Sequence, residues 1–215
     1  MRWTRRPVRV ACTAAVLVLA GLAAACTPPP DPPPAVSTVD QQVAPPSGLG
    51  NTSSFAARCA PANVPYEYQT AQTFTAGRTG TLDRVGTNMI RVSGPTPAPL
   101  AVSIQTVAAD GTPSGVEIGS GTYDGPSNVV GILWNMPLST PAAVTAGTRY
   151  AIVISESTCT DPPSNGWNFE GESSTTTDPY PGGQAFLRAV GAPGGWYAGV
   201  PVGTNFDLYF DTWVR

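Results

Sequence analysis

The chain has no histidine and no lysine. Without histidine there is no Ser–His or Cys–His nucleophile pair and no imidazole to hold a metal. Without lysine there is no Schiff base and no phosphate-loop ammonium. Charge of either sign is scarce: 12% of the 215 residues are charged, about half the usual share of a globular protein. All 11 basic residues are arginine, set against 14 acids. These absences exclude most familiar enzyme designs. What is abundant is 24 prolines and 23 glycines, among 41% hydrophobic residues. That is enough apolar material for one core, cut into short pieces.

The first piece reads as an address. Residues 1–9 hold four arginines and no acid, and an apolar run from Val10 to Leu22 ends in Ala23, Ala24, Ala25 and Cys26. A basic head, an apolar centre of about a dozen residues and a small-residue exit make a secretory signal. The run falls short of the roughly 20 residues a membrane-spanning helix needs. Leu22-Ala-Ala-Ala-Cys26 resembles a bacterial lipobox, with its leucine four places before the cysteine rather than three. The expectation is a signal peptide over 1–25 and lipid attached at Cys26; ordinary secretion is the alternative. Losing the leader removes four arginines, so seven face 14 acids and the net charge moves from −3 to about −7. Such a chain lacks the positive footprint that nucleic acid demands. Membrane contact would be through the acyl chains.

Cys12 would leave with the leader and Cys26 would carry lipid. That leaves Cys59 and Cys159, and a lone pair of cysteines in an exported chain reads as a disulfide; two buried thiols are the other reading. Residues 26–54 have the composition of a tether, with eight prolines between positions 28 and 46. Proline-rich chain favours extended polyproline II, about 3 Å per residue.

From about Tyr66 the pattern is β. Leu100, Val102, Ile104 and Thr106 alternate with Ala101, Ser103, Gln105 and Val107, a period of two. Tyr150-Ala-Ile-Val-Ile-Ser155 is dense in β-branched residues, as in a strand buried on both faces. Phe206, Leu208, Phe210 and Thr212 alternate with Asp207, Tyr209, Asp211 and Trp213, which predicts a last strand with two unlike faces. Glycine turn signals separate the runs, among them Ala109-Asp-Gly111, Thr145-Ala-Gly147 and Pro181-Gly-Gly183. Short strands without helical periodicity predict one all-β domain over 55–215, an antiparallel β-sandwich of jelly-roll or immunoglobulin-like type.

A set of fragments in fixed order carries a resemblance. Ala71-Gln-Thr-Phe-Thr-Ala-Gly77 and Gly80-Thr-Leu-Asp-Arg-Val85 come first, then Gly111-Thr-Pro-Ser-Gly115 and Gly119-Ser-Gly121. Thr145-Ala-Gly-Thr-Arg-Tyr-Ala-Ile-Val153 follows, and then Tyr180-Pro-Gly-Gly183, Gly195-Trp196 and Asp207-Leu-Tyr-Phe210. This order resembles the choice-of-anchor R domain over about residues 68–215. The resemblance implies a jelly-roll-like module on bacterial exported proteins, held to the surface by an anchor. It implies no catalytic residues and no cofactor, so the chain is expected not to be an enzyme.

Aromatic side chains on β-sandwiches stack on sugar rings. Trp167 in Asn165-Gly-Trp-Asn-Phe169, Tyr180 between two prolines, and Trp196-Tyr197 in a glycine-rich stretch are the candidate platform. Tryptophan also plugs sandwich cores; the core is the expected place for Trp134 and Trp213, and the favoured one for Trp167 and Trp196 too. Among the acids, Glu170 and Glu172 with Asn168 and Asp178 form a conceivable calcium cluster or glycosidase-like pair, but a solvated acidic loop explains them better. Asp110 and Asp124 read as turn residues. The expected function is display of a module that binds a glycan or another envelope component. The alternative is a structural lipoprotein with a protein partner and no sugar recognition.

Overall fold

The computed structural model describes residues 36–44, 52–58, 67–91, 99–124, 132–156, 166–191, 194–198 and 205–215. The expected signal peptide, the lipidation site Cys26 and the Cys59–Cys159 pair lie outside the described residues, as does the side chain of Trp134. The strands are β1 (Thr38–Val43), β2 (Thr52–Arg58), β3 (Glu67–Thr75), β4 (Gly80–Arg91), β5 (Leu100–Val107), β6 (Pro113–Tyr123) and β7 (Ile132–Val144). They continue with β8 (Arg149–Glu156), β9 (Gly166–Ser174), β10 (Ala185–Val190), β11 (Tyr197–Ala198), β12 (Asn205–Leu208) and β13 (Phe210–Val214). Among the described residues there is no helix.

All strand pairs are antiparallel, as the alternating patterns require. From β1 the order runs β13, β4, β7, β6, β5, β8, β3, β2, β9 and β12, with β10 on β3 and β11 on β10. Met89–Arg91 of β4 also pair with Trp167–Phe169 of β9. The sheet therefore curls back on itself and encloses its main core. Phe74, Leu82, Val85, Ile104, Phe169 and Phe210 point into that core and are almost fully buried. Each such burial stabilises by roughly 1.5–3 kcal/mol.

β8 behaves as its sequence predicts. Tyr150, Ile152 and Ile154 join the main core, while Ala151 and Val153 face the other way into a second cluster with Ala71 and Phe186. Central strands between two apolar layers need β-branched residues on both faces. The turns also follow: Gly111 and Gly147 adopt φ of 87° and 78°, a left-handed conformation costly to residues with a Cβ.

Two features differ from expectation. The segment read as tether contributes β1, which pairs along its length with β13; β2, from Thr52, pairs with β9. Prolines cluster on either side of residues 36–44 and hide a proline-free strand whose one buried residue is Val43. Its remaining side chains are mostly polar because it lies at the sheet edge. The last strand is also divided. β12 pairs with β9 and β13 with β4, and Tyr209 makes the crossing. Its N–H donates to the Glu170 carbonyl at 3.0 Å, and its own carbonyl accepts from Asn88 N–H at 3.2 Å and Thr87 Oγ1 at 3.1 Å. Both flanking acids, Asp207 and Asp211, are consequently buried rather than solvated.

Candidate functional site

The four aromatic platform residues do not come together. Trp167 is 1% exposed: on β9 it shares its parity with Phe169, and both fill the main core. It is a core residue, because strand pairing on both sides of β9 turns a loop-like sequence into sheet. Tyr180 is half-buried with its ring edge-on to Phe210 at 5.2 Å. Its hydroxyl donates to Gln41 Oε1 at 2.9 Å and accepts from Thr75 N–H at 3.3 Å. Both ends of Tyr180 are thus used internally, tying the 175–184 loop to β1 and β3.

Trp196 packs on the second cluster, with the Arg188 guanidinium 4.6 Å from its ring centroid. Tyr197 pairs with Leu187 and is 51% exposed. Trp196, just before β11, is partly buried against the second cluster, whereas Tyr197 on β11 is exposed, so the two are not shown as one platform.

Glu170 and Glu172 share one face of β9, and burial and then both their charges push the Tyr209 hydroxyl up. Glu170 accepts a hydrogen bond from Asn88 Nδ2 at 2.8 Å, whereas Glu172 is exposed. Among the described residues no three Asp, Glu, His or Cys side chains gather as a metal-holding set. Asp110 caps its own turn, accepting from Thr112 N–H at 3.0 Å and Thr112 Oγ1 at 2.8 Å, which holds its carboxyl below the usual range. The unusual acid is Asp207. Burial pushes its carboxyl up to about 7, helped by the neighbouring Asp178, while a hydrogen bond from Gln72 opposes the shift. Its Oδ1 accepts from Gln72 Nε2 at 2.7 Å and its Oδ2 from Tyr180 N–H at 3.1 Å. A raised carboxyl in a cleft is a candidate acid catalyst. Asp207 is 1% exposed with both oxygens engaged, so its place is in the frame.

A surface groove lies elsewhere, on the outer face of β1, β13, β4 and β7. Register places Val39, Trp213, Arg84 and Pro137 in one row across the four strands. Gln42, Asp211, Gly86 and Asn135 form the next row on the same face. Trp213, expected in the core, is partly buried here. It has the parity of Asp211, opposite to the buried Phe210, Thr212 and Val214. Gly86 leaves a hollow that the Asp211 carboxyl fills; a Cβ there would collide with it. Burial pushes Asp211 above its ordinary range, moderated by Trp213, Arg84 and the Gly86 N–H.

Arg84 lies with its guanidinium 4.5 Å from the Trp213 ring centroid. On its other side opens a groove of about 430 Å³, lined by Arg84, Asn135, Pro137, Leu138, Pro141 and the Asp83–Arg215 ion pair. That volume falls within the range of small-ligand sites. Its walls join proline and leucine carbon to one amide, two guanidinium groups and the Asp83 carboxylate. The signal in the sequence was the parity of Trp213 with Asp211; nothing local marked Arg84, Asn135 or Pro141, which the register alone brings together.

No protein-family model matches the chain, and no curated protein matches it.

Proposed function

We propose that this chain is an exported, lipid-anchored bacterial surface protein that displays one non-catalytic β domain to bind a glycan. The observation that carries the binding reading is the outer-face groove. Sugar rings present apolar C–H faces and hydroxyl edges, and this groove offers apolar proline walls beside the Asn135 amide and the Arg84 donors. Partly buried Trp213 continues the surface beyond Arg84 and supplies some aromatic area. A non-catalytic role is supported by Asp207, whose two oxygens are taken up internally and away from the groove.

Export and anchoring rest on residues 1–26 and on the fragments that resemble the choice-of-anchor R domain, a jelly-roll-like module. The pairing of Cys59 with Cys159 belongs to the same reading, since an oxidising compartment forms such a bond. Cys26→Ser abolishes metabolic labelling with palmitate if the anchor is real; unchanged labelling removes it. Thiol titration of the exported, unfolded protein finds no reactive cysteine if the pair is bonded, and two if it is not. For the binding function the test is a glycan array with the purified protein and its Asn135→Ala variant. Hits that weaken in the variant support the groove. A clean negative moves the weight to a protein partner.

A further inference from the structure

We infer that the glycan bound in this groove carries a carboxylate, as a uronic acid does, and that the Arg84 guanidinium reads it. The inference rests on the glycan reading above and narrows it to one chemical class of sugar.

The partners of the arginines point this way. Arg78 is ion-paired with Asp40 at 2.9 Å, and Arg215 with Asp83 at 3.4 Å. Arg188 donates to Gln69. Arg84 lines the groove with no ion pair and no side-chain hydrogen bond among the described residues; exposed Arg149 also has no ion pair, but it does not line the groove. Arg215 and Asp83 offset one another on the groove wall, which leaves Arg84 as its guanidinium without an ion-pair partner among the described residues. This occurs in a chain of 14 acids and 11 arginines whose isoelectric point is about 4.8. Asp211, behind Arg84, is 6% exposed and forms no ion pair with it; burial pushes its carboxyl up, and the Arg84 charge works against that shift.

Geometry favours a carboxylate over a bare anion. Trp213 holds the guanidinium plane from one side, which limits its rotamers before any ligand arrives. A positioned guanidinium presents a flat fork of donors that matches the two oxygens of a carboxylate. Pro137 and Pro141 give the body of the ligand carbon to rest on, and Asn135 gives a donor and an acceptor for a hydroxyl. A uronic acid residue unites these three parts: a flat anion, an apolar ring face and hydroxyl edges.

The experiment is calorimetric titration of the purified protein with galacturonate and glucuronate oligosaccharides, their methyl esters, and neutral and sulfated oligosaccharides of equal length. Esterification removes the charge and leaves the ring. The expected result is that an acid form binds about tenfold or more tightly than its ester, a gap of about 1.4 kcal/mol. Added salt should narrow that gap. Arg84→Gln should bind acid and ester alike, and Arg84→Lys should recover part of the preference, because it restores charge without the fork. Equal binding of acid and ester by the wild-type protein overturns the carboxylate inference, and so does preference for the sulfated sugar. In both cases the glycan reading stands if Asn135→Ala weakens the binding. No binding of any saccharide overturns both. Should Arg84→Gln fail to fold, the acid–ester comparison on wild-type protein decides alone.

Discussion

Gln72 Nε2 donates to Asp207 Oδ1 at 2.7 Å, joining strands that lie 135 residues apart in sequence. The same glutamine accepts from Leu208 N–H through Oε1 at 2.8 Å and donates to the Thr73 carbonyl at 3.0 Å. One buried amide therefore fixes β12 against β3. Such a side chain is retained only where all its polar atoms are satisfied. Asp207 completes the set by accepting from Tyr180 N–H, which brings the 175–184 loop to the same point.

This arrangement makes stability depend on pH in a definite direction. The Asp207 carboxyl is raised from 3.8 to about 7 in the fold, by burial first and then by Asp178. Between those values the native state holds a proton that the unfolded chain releases. The contribution is fully present below about pH 4 and is lost as pH rises through 7. The groups facing Asp207 are Gln72, Tyr180 and Asp178, with Glu172 opposite it on β9. In Asp207→Asn, urea denaturation from pH 4 to pH 8 should lose this downward trend relative to wild type. An unchanged pH profile would show that Asp207 is ionised throughout.

Placement of the tryptophans is testable by stability. Trp167→Ala empties a site that is 1% exposed and should cost about 3–5 kcal/mol in chemical denaturation. Tyr197→Ala, at a side chain 51% exposed, should change stability by no more than about 0.5 kcal/mol. Similar costs for the two would contradict the assignment of one to the core and the other to the rim.

Tyr180→Phe keeps the ring on Phe210 and removes the hydroxyl that bridges Gln41 and Thr75. The expected loss is about 1–2 kcal/mol, with faster amide exchange across Thr38–Val43, because β1 loses its link to the loop. Wild-type exchange in that strand would show that the β13 pairing holds β1 unaided.

Strand character was legible from the sequence wherever a strand is flanked on both sides. Tyr150–Ser155 shows this, since two apolar layers demand apolar residues at every position. Edges and crossings were not legible. Thr38–Val43 buries one side chain, so its period is faint beside neighbouring prolines. Phe206–Trp213 alternates without a break although the chain changes partners at Tyr209; the parity survives while the pairing moves from β9 to β4. Trp167 stood as a platform candidate from its Asn-Gly setting although the core was favoured for it, and Trp213 was expected in the core. Parity sorts both, with Trp167 beside Phe169 and Trp213 beside Asp211. The groove itself is a product of register: Arg84, Asn135 and Pro141 meet only because β4 and β7 pair as they do.

The most direct measurement of the central claim is the affinity of the tightest array glycan for wild-type protein and for Trp213→Ala. Removing the indole strips aromatic area from the outer face and frees Arg84 to move. The account predicts an affinity at least about tenfold weaker with the fold intact by circular dichroism. An unchanged affinity would contradict it, and would place the binding site away from the β13–β4–β7 face.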